Sequence, residues 1–335
     1  MKRLVLTYTL LLALFVSCVQ SGKDVQCNEE AATVTVAIDT MDLANPYILY
    51  DKLTDLYYMT GDGGAMWRSK DMRVWEGPYE VLAPAAESWI GASPVVTSPE
   101  IHRYKDRYYY MATFTDRAAV MDTVGGKNIY RTSCEIFVSD NLMGPYTHIA
   151  QDAPLLNSSH ATQHPTFCTD ELNVGYMIYN HSGEQNGDAT VQIIRLGRDF
   201  DVQVGEPYIM FRASQNSWSR ATNSNGPSPL MEAPFLFNTY TGGLGVLFTT
   251  YVGNEQCIGV AYSQTGHLDG PWLIEPAPLL DGNVGGAMLF NDYDGKLLMV
   301  CHKDTVIGGT RKSLPLLIRV DSQFDKLKLN GHYKF

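Results

Sequence analysis

Five short stretches of this chain share one pattern, in which a polar or very small residue precedes an apolar run and a second, more apolar run begins about a dozen residues later. They are Asn45-Pro46-Tyr47-Ile48, Pro99-Glu100-Ile101-His102, His164-Pro165-Thr166-Phe167, Glu232-Ala233-Pro234-Phe235 and Gly286-Ala287-Met288-Leu289. The runs are rich in the aromatic and β-branched residues that suit a pleated, half-buried surface, and no helical periodicity of useful length lies between them. Each start opens a set of strand-like segments. The first set reads Asn45 to Leu49, Leu56 to Thr60, Ala65 to Ser69 and Trp75 to Leu82. Gly77-Pro78-Tyr79, Gly144-Pro145-Tyr146 and Gly270-Pro271-Trp272 occupy the same slot in three sets. Starts at 45, 100, 164, 232 and 286 are spaced by about one four-stranded unit plus loops. The economical fold is therefore all-β, a five-bladed β-propeller. In that architecture the innermost strand of each blade lines the axis, so the five starts converge on one mouth of a central channel. The polar, Gly-containing segment from Thr115 to Thr132 reads as a loop over one face.

The chain has a formal net charge of -11, so it offers no basic field to phosphate or anionic lipid. Nucleic acid is not expected as a partner, whereas a neutral ligand such as a sugar is compatible. Residues 1–18 read as a lipoprotein signal peptide: Lys2 and Arg3, an apolar stretch from Leu4 to Val16, then Phe15-Val16-Ser17-Cys18. Cys18 becomes the lipid-attachment residue, residues 19–32 a linker, and residues 33–335 a single domain. Membrane contact is then expected only through the lipid, at the cell envelope, on the outer membrane or periplasmic face. Cys27, Cys134, Cys168, Cys257 and Cys301 show no Cys-x-x-Cys spacing, which argues against structural zinc. Asp292-Tyr293-Asp294-Gly295 lacks the distal glutamate of a calcium loop and reads as a hairpin turn. No phosphate-cradling glycine loop, His-Glu-x-x-His or Gly-x-Ser-x-Gly is present.

From about Leu43 to Val320 the chain resembles glycoside hydrolase family 43. The resemblance is carried by Asn-Pro-Tyr-Ile, Ser-Pro-Glu-Ile-His, Ser69-Lys70-Asp71 with Trp75, Glu-Ala-Pro-Phe-Leu, and Gly285-Gly286-Ala287-Met288-Leu289-Phe290, in this order and spacing. It implies a five-bladed propeller that hydrolyses β-xylosides, α-L-arabinofuranosides or β-galactosides of an oligosaccharide or polysaccharide with inversion. Such chemistry needs an aspartate to activate water, a glutamate to protonate the leaving oxygen, and a second aspartate to set the acid's pKa. In an inverting enzyme base and acid stand roughly 6.5 to 9.5 Å apart. Matched by position, the acid falls on Glu232, the base position on Asn45, the pKa-setting position on His164, and a histidine common in relatives on Gly286.

An amide cannot accept a proton from water with useful driving force. One reading keeps hydrolysis with a substitute base, Glu100 first, with Asp42 and His164 behind it; His164 would titrate near neutrality and tune Glu232. The alternatives are an inactive propeller serving as a surface carbohydrate-binding protein and an unrelated chemistry on the same scaffold. Asn45, Asp42 and Gly286 are candidate substrate contacts. Trp89 and Trp218, on long loops, are candidate stacking platforms, with loop packing as the competing account. His102 and His302 read as core or channel histidines. No cofactor or metal is expected, and Gly286 in place of the usual histidine leaves calcium in the channel an open question.

Overall fold

The structure, a computed structural model, describes residues 33–91, 93–150, 152–221, 230–321 and 325–335. The expected signal segment, Cys18, the linker to residue 32 and Cys27 lie outside the described residues. Five antiparallel sheets follow one another along the chain and form a five-bladed β-propeller.

Blade 1 holds Tyr47–Asp51, Leu56–Thr60, Met66–Ser69 and Val74–Tyr79, with Val34–Ala37 added antiparallel at its outer edge. Blade 2 holds Val95–Tyr104, Arg107–Val124, Lys127–Ser139 and Tyr146–His148, with Leu82–Ala83 parallel to its last strand. Blade 3 holds Thr162–Thr169, Gly175–His181, Thr190–Leu196 and Gln203–Arg212. Blade 4 holds Glu232–Asn238, Leu244–Gly253, Glu255–Ser263 and Trp272–Ile274, and Arg220–Ala221 pairs with the end of its second strand. Blade 5 holds Val284–Asn291, Leu297–Ile307, Thr310–Asp321 and Lys328–His332.

The apolar faces of these sheets bury against one another, giving five separate cores, one per seam. Tyr57, Met59 and Trp75 of blade 1 pack on Met288, Leu298 and Val300 of blade 5. Tyr58 and Met66 meet Ile101 and Tyr110 across the seam of blades 1 and 2, and Met111 and Ile136 meet Met177 and Ile194 across the next. Ile178 and Phe211 face Val246 and Phe248, and Leu247 and Val260 face Leu289 and Met299. Each fully buried Leu, Ile, Met or Phe contributes about 1.5–3 kcal/mol of transfer free energy, so every seam is held mainly by area. Cys134, Cys168, Cys257 and Cys301 are buried free thiols in these strands, as their apolar settings suggest.

Two segments depart from expectation. Thr115 to Thr132 is no loop: it continues two strands of blade 2 as a long hairpin turning at Gly125 and Gly126, both at positive φ. Cross-strand bonds hold it, Thr115 Oγ1 to Thr132 Oγ1 at 2.9 Å and Arg131 to Asp116 at 2.6 Å. Polarity there reflects a hairpin with two solvated faces rather than absence of structure. Blade 5 carries a matching extension that turns at Gly308 and Gly309. Because second strands run toward the end of the channel where inner strands begin, both hairpins rise beyond that mouth.

Among the described residues, no strand is exchanged between the first and last blades where the ring closes. Leu43 N donates to Ser313 O at 2.7 Å, and Ser313 N to Asp42 Oδ1 at 2.9 Å.

Candidate active site

The blade starts obey a tighter rule than the sequence pattern gave. Asn45, Ser98, His164, Ala233 and Gly286 all adopt positive φ, between 48° and 60°. In blades 2 to 5 the inner strand also bulges there, with register shifts between Thr97 and Glu100, Gln163 and Thr166, Glu232 and Phe235, and Gly285 and Met288. The blade 2 start is therefore Ser98 rather than Glu100, and Glu232 stands one residue before its blade's special position. Proline follows the first four, which was the legible signal. A bulge re-aims side chains, and left-handed non-glycine residues persist only where surroundings over-determine them.

Those surroundings are the second strands of the preceding blades. His164 N donates to Thr113 Oγ1 at 2.7 Å, Gly286 N to Thr249 Oγ1 at 2.8 Å, and Asn45 N to His302 Nδ1 at 3.1 Å, while Thr60 Oγ1 donates to Pro99 O at 2.9 Å. The fifth equivalent is Asn180, paired opposite Gln163, whose buried amide makes no hydrogen bond through either atom.

Gly286 has two reasons to be glycine. Its φ is +60°, and a Cβ there would lie 2.3 Å from Asn45 Oδ1 and 3.0 Å from His302 Nδ1. The imidazole of His302 thus occupies the space next to Gly286.

Two connected hollows sit on the axis. A narrow channel of about 30 Å³ is lined by Tyr47, Glu100, Phe235 and Met288 with the bulge prolines. Above it a cavity of about 350 Å³ is lined by Asp42, Asn45, Asp62, His164, Glu232, Gly286, Gln256, His302, Asp304 and Arg311, among others. Asn45, His164 and Gly286 border both hollows. Asp42, Asn45, His164, Gly286 and Glu232 are thereby brought together. Glu100 is not: it lines the lower channel, where its Oε2 binds His102 Nε2 at 2.7 Å and accepts from Thr166 Oγ1 at 2.8 Å. A carboxylate so engaged, beneath the cavity that Glu232 lines, is a poor base for water held in that cavity.

The tryptophans do not line the cavity either. Trp89 is 7% exposed in the core between blades 1 and 2, with the Arg131 guanidinium 5.2 Å from its ring centroid. Trp218 is half-buried and donates its indole N–H to Glu275 O at 2.8 Å. Loop packing accounts for both, since each ring is claimed by neighbours before a ligand could stack on it.

Burial pushes the Glu232 carboxyl up to about 7, with a further push from the negative charge of Glu184 in the short helix Gly183–Asn186. Glu232 is therefore still partly protonated near neutral pH, where an ordinary glutamate is fully ionised. His164 goes the other way. Burial, then the nearby His302, lowers it to about 4, so it is neutral at pH 7 and does not titrate near neutrality as the sequence suggested. His164 Nδ1 instead bonds Ser98 Oγ. His302 is likewise lowered to about 4 by burial. Its Nδ1 accepts from Asn45 N, so Nε2 carries the proton and donates to Gln256 Oε1 at 3.0 Å, while Gln256 Nε2 donates to Tyr251 Oη at 3.0 Å.

Asp62, Asp304 and Glu184 were not picked out from the sequence. Asp62 Oδ1 accepts from Asn45 Nδ2 and from Ser98 N, both at 2.9 Å. Asp304 is saturated, Oδ2 by Arg311 and Oδ1 by Ser313 Oγ at 2.5 Å; burial opposes its charge, yet these bonds hold the carboxyl below its ordinary value. Among the described residues no three His, Cys, Asp or Glu side chains converge as metal ligands. The channel offers one carboxylate among prolines and apolar side chains, a donor set that does not suit the six to eight oxygens calcium takes.

Five small sheets around an axis, with a carboxyl of raised pKa and further carboxylates at one mouth, describe a propeller glycosidase scaffold. The family model for glycosyl hydrolases family 43 matches residues 35–316, and the chain belongs to that family, whose members act on glycans. Among solved structures it is similar to an endo-arabinase from Bacteroides thetaiotaomicron at 25% identity and a TM-score of 0.73, covering 85% of this chain and 96% of that one. It is also similar in fold to an endo-1,4-β-xylanase from the same organism, at 16% identity, TM-score 0.66, and 87% and 94% coverage. An α-L-arabinofuranosidase from Lactobacillus brevis gives 12% identity, TM-score 0.66, and 87% and 96% coverage. No curated protein matches the chain by sequence.

Proposed function

We propose that this protein is an inverting glycosidase that cleaves plant-type glycans, α-L-arabinofuranosyl linkages first among them, with Glu232 as general acid. The observation that carries this reading is a carboxyl pushed up to about 7 on the wall of a 350 Å³ cavity at the axis. In its protonated form, still well populated at neutral pH, Glu232 carries the proton that the leaving oxygen must receive as the glycosidic C–O bond breaks. Water attacks the opposite face of the sugar and gives its own proton to a base. The endo-arabinase likeness supports arabinan as the substrate class; β-xylosides and β-galactosides are the competing substrates. A lipid on Cys18 tethering the domain to the cell envelope completes the proposal, on the sequence pattern alone.

Turnover of aryl α-L-arabinofuranoside, β-xyloside and β-galactoside tests the reading, with product configuration followed by NMR. Turnover strongly lowered by Glu232→Gln, most of all on aryl groups that leave poorly, while binding persists, is the expected result. Asn45 at the base position supports one other reading, a surface carbohydrate-binding protein; calorimetric binding by the wild-type chain with no turnover on any glycoside would select it.

A further inference from the structure

We propose that Asp62, a residue of the turn between the second and third strands of blade 1, is the general base that replaces the carboxylate missing at Asn45. The inference rests on the hydrolytic reading given above.

Asn45 is not merely an empty base position. Its side-chain amide donates to Asp62 Oδ1, and the backbone of Ser98, the matching residue of the next blade, donates to the same oxygen. Two neighbouring mouth residues thus hold a carboxylate one hydrogen bond from where a base is needed. Oδ2 of Asp62 has no hydrogen-bond partner among the described residues, and Asp62 lines the same cavity as Glu232. The turn that carries it is fixed from both sides. Asp62 N donates to Ala44 O at 3.0 Å, Gly63 N to Val96 O at 2.9 Å, and Tyr110 Oη to Gly64 O at 2.8 Å. Gly61 completes the fit, since a Cβ there would lie 2.5 Å from the Leu43 side chain and 2.8 Å from Ala44 O.

The other carboxylates near the mouth are otherwise engaged. Asp304 gives both oxygens to Arg311 and Ser313, Asp42 caps the Ser313 N–H at the ring closure, and Glu100 lies in the channel below. Burial raises the Asp62 carboxyl above its ordinary value, though the two donated bonds oppose this, which makes it the stronger proton acceptor. In the step itself a water oxygen bonds to the anomeric carbon as the glycosidic C–O bond breaks. Asp62 Oδ2 takes one water proton and Glu232 gives its proton to the leaving oxygen. One water is consumed, and the two carboxyls regain their starting states by exchange with solvent.

The test uses the wild-type chain, Asp62→Asn, Asp62→Ala and the double variant Asn45→Asp/Asp62→Asn, on whichever aryl glycoside the wild type turns over, with melting temperatures recorded for each. Asp62→Asn should lower kcat about 10²–10⁴-fold, and equally for poor and activated leaving groups. A Glu232→Gln defect, in contrast, should shrink with an activated aryl group, which needs no acid. Returning a carboxylate at Asn45→Asp should recover much of the lost kcat. With Asp62→Ala, added azide should occupy the vacated space, attack the anomeric carbon and yield a glycosyl azide of inverted configuration. Retention of kcat by Asp62→Asn overturns the inference while leaving Glu232 and hydrolysis intact. So does a folded, inactive Asp62→Asn that neither the second substitution nor azide on the alanine variant repairs, because Asp62 would then be a structural support. A wild-type chain that turns over no glycoside overturns the hydrolytic reading and this one with it.

Discussion

At the level of single residues, the chemistry turns on which groups keep a charge at neutral pH. As the proposed general acid, Glu232 acts in its protonated form, so activity should be retained below about 7 and fall as pH rises through that value. Glu184 contributes to this limb by making ionisation of Glu232 harder. Glu184→Gln should therefore move the basic limb of the kcat/KM profile to lower pH, a shift that a residue with no electrostatic role would not cause. His164, neutral at pH 7, cannot supply that negative potential. Position matching alone located Glu232, because it lies in a distinctive Glu-Ala-Pro-Phe-Leu run. Asp62 was invisible to it: a lone aspartate in Gly61-Asp62-Gly63-Gly64 looks like any polar turn until the fold sets it against Asn45.

Between elements, four of the five seams repeat one arrangement, a second-strand side chain bonded to the backbone of the next blade's start. Thr60, Thr113, Thr249 and His302 make that bond and Asn180 does not. A buried amide left unsatisfied costs about 1–3 kcal/mol. Asn180→Thr, which brings an acceptor of the type used at two other seams, should raise the melting temperature with no loss of fold. The hairpin extensions belong to the same scale. The tip around Gly125 and Gly126 rises past the mouth and is tied to blade 3 by Gln185 Nε2 donating to Asp122 Oδ2 at 3.1 Å. Shortening residues 117–130 to a tight turn should lower kcat/KM for polymeric glycan more than for an aryl glycoside, since a small substrate fills only the axial cavity. Equal loss on both would mean that the hairpin supports folding instead.

Across the whole molecule, the ring brings together residues separated by up to 271 positions, as in the bond from Ser313 to Asp42. Its closure rests on apolar packing of blade 5 against blade 1 and on the Leu43, Asp42 and Ser313 bonds, with no sheet shared among the described residues. The proposed lipid tether also acts at this scale. Cys18→Ser should release the protein from the membrane fraction into the soluble one, and unchanged fractionation would count against a lipid on that residue.

The sequence by itself determined the class of fold and the number of blades, because strand alternation, turn residues and the X-Pro starts are local signals that repeat along the chain. It also marked three of the five special positions, Asn45, His164 and Gly286, and the proposed acid. What only the tertiary structure decided was which carboxylates face one another and in what protonation state. Glu100 falls below the cavity and Ser98 takes its place at the mouth, because a bulge shifts the inner strand in a way no linear count reveals. Asp62 gains its setting from two blades at once, and the pKa values of Glu232 and His164 come from burial among residues distant in the chain. Local patterns encode strands; desolvation and cross-blade hydrogen bonding exist only after the ring has closed.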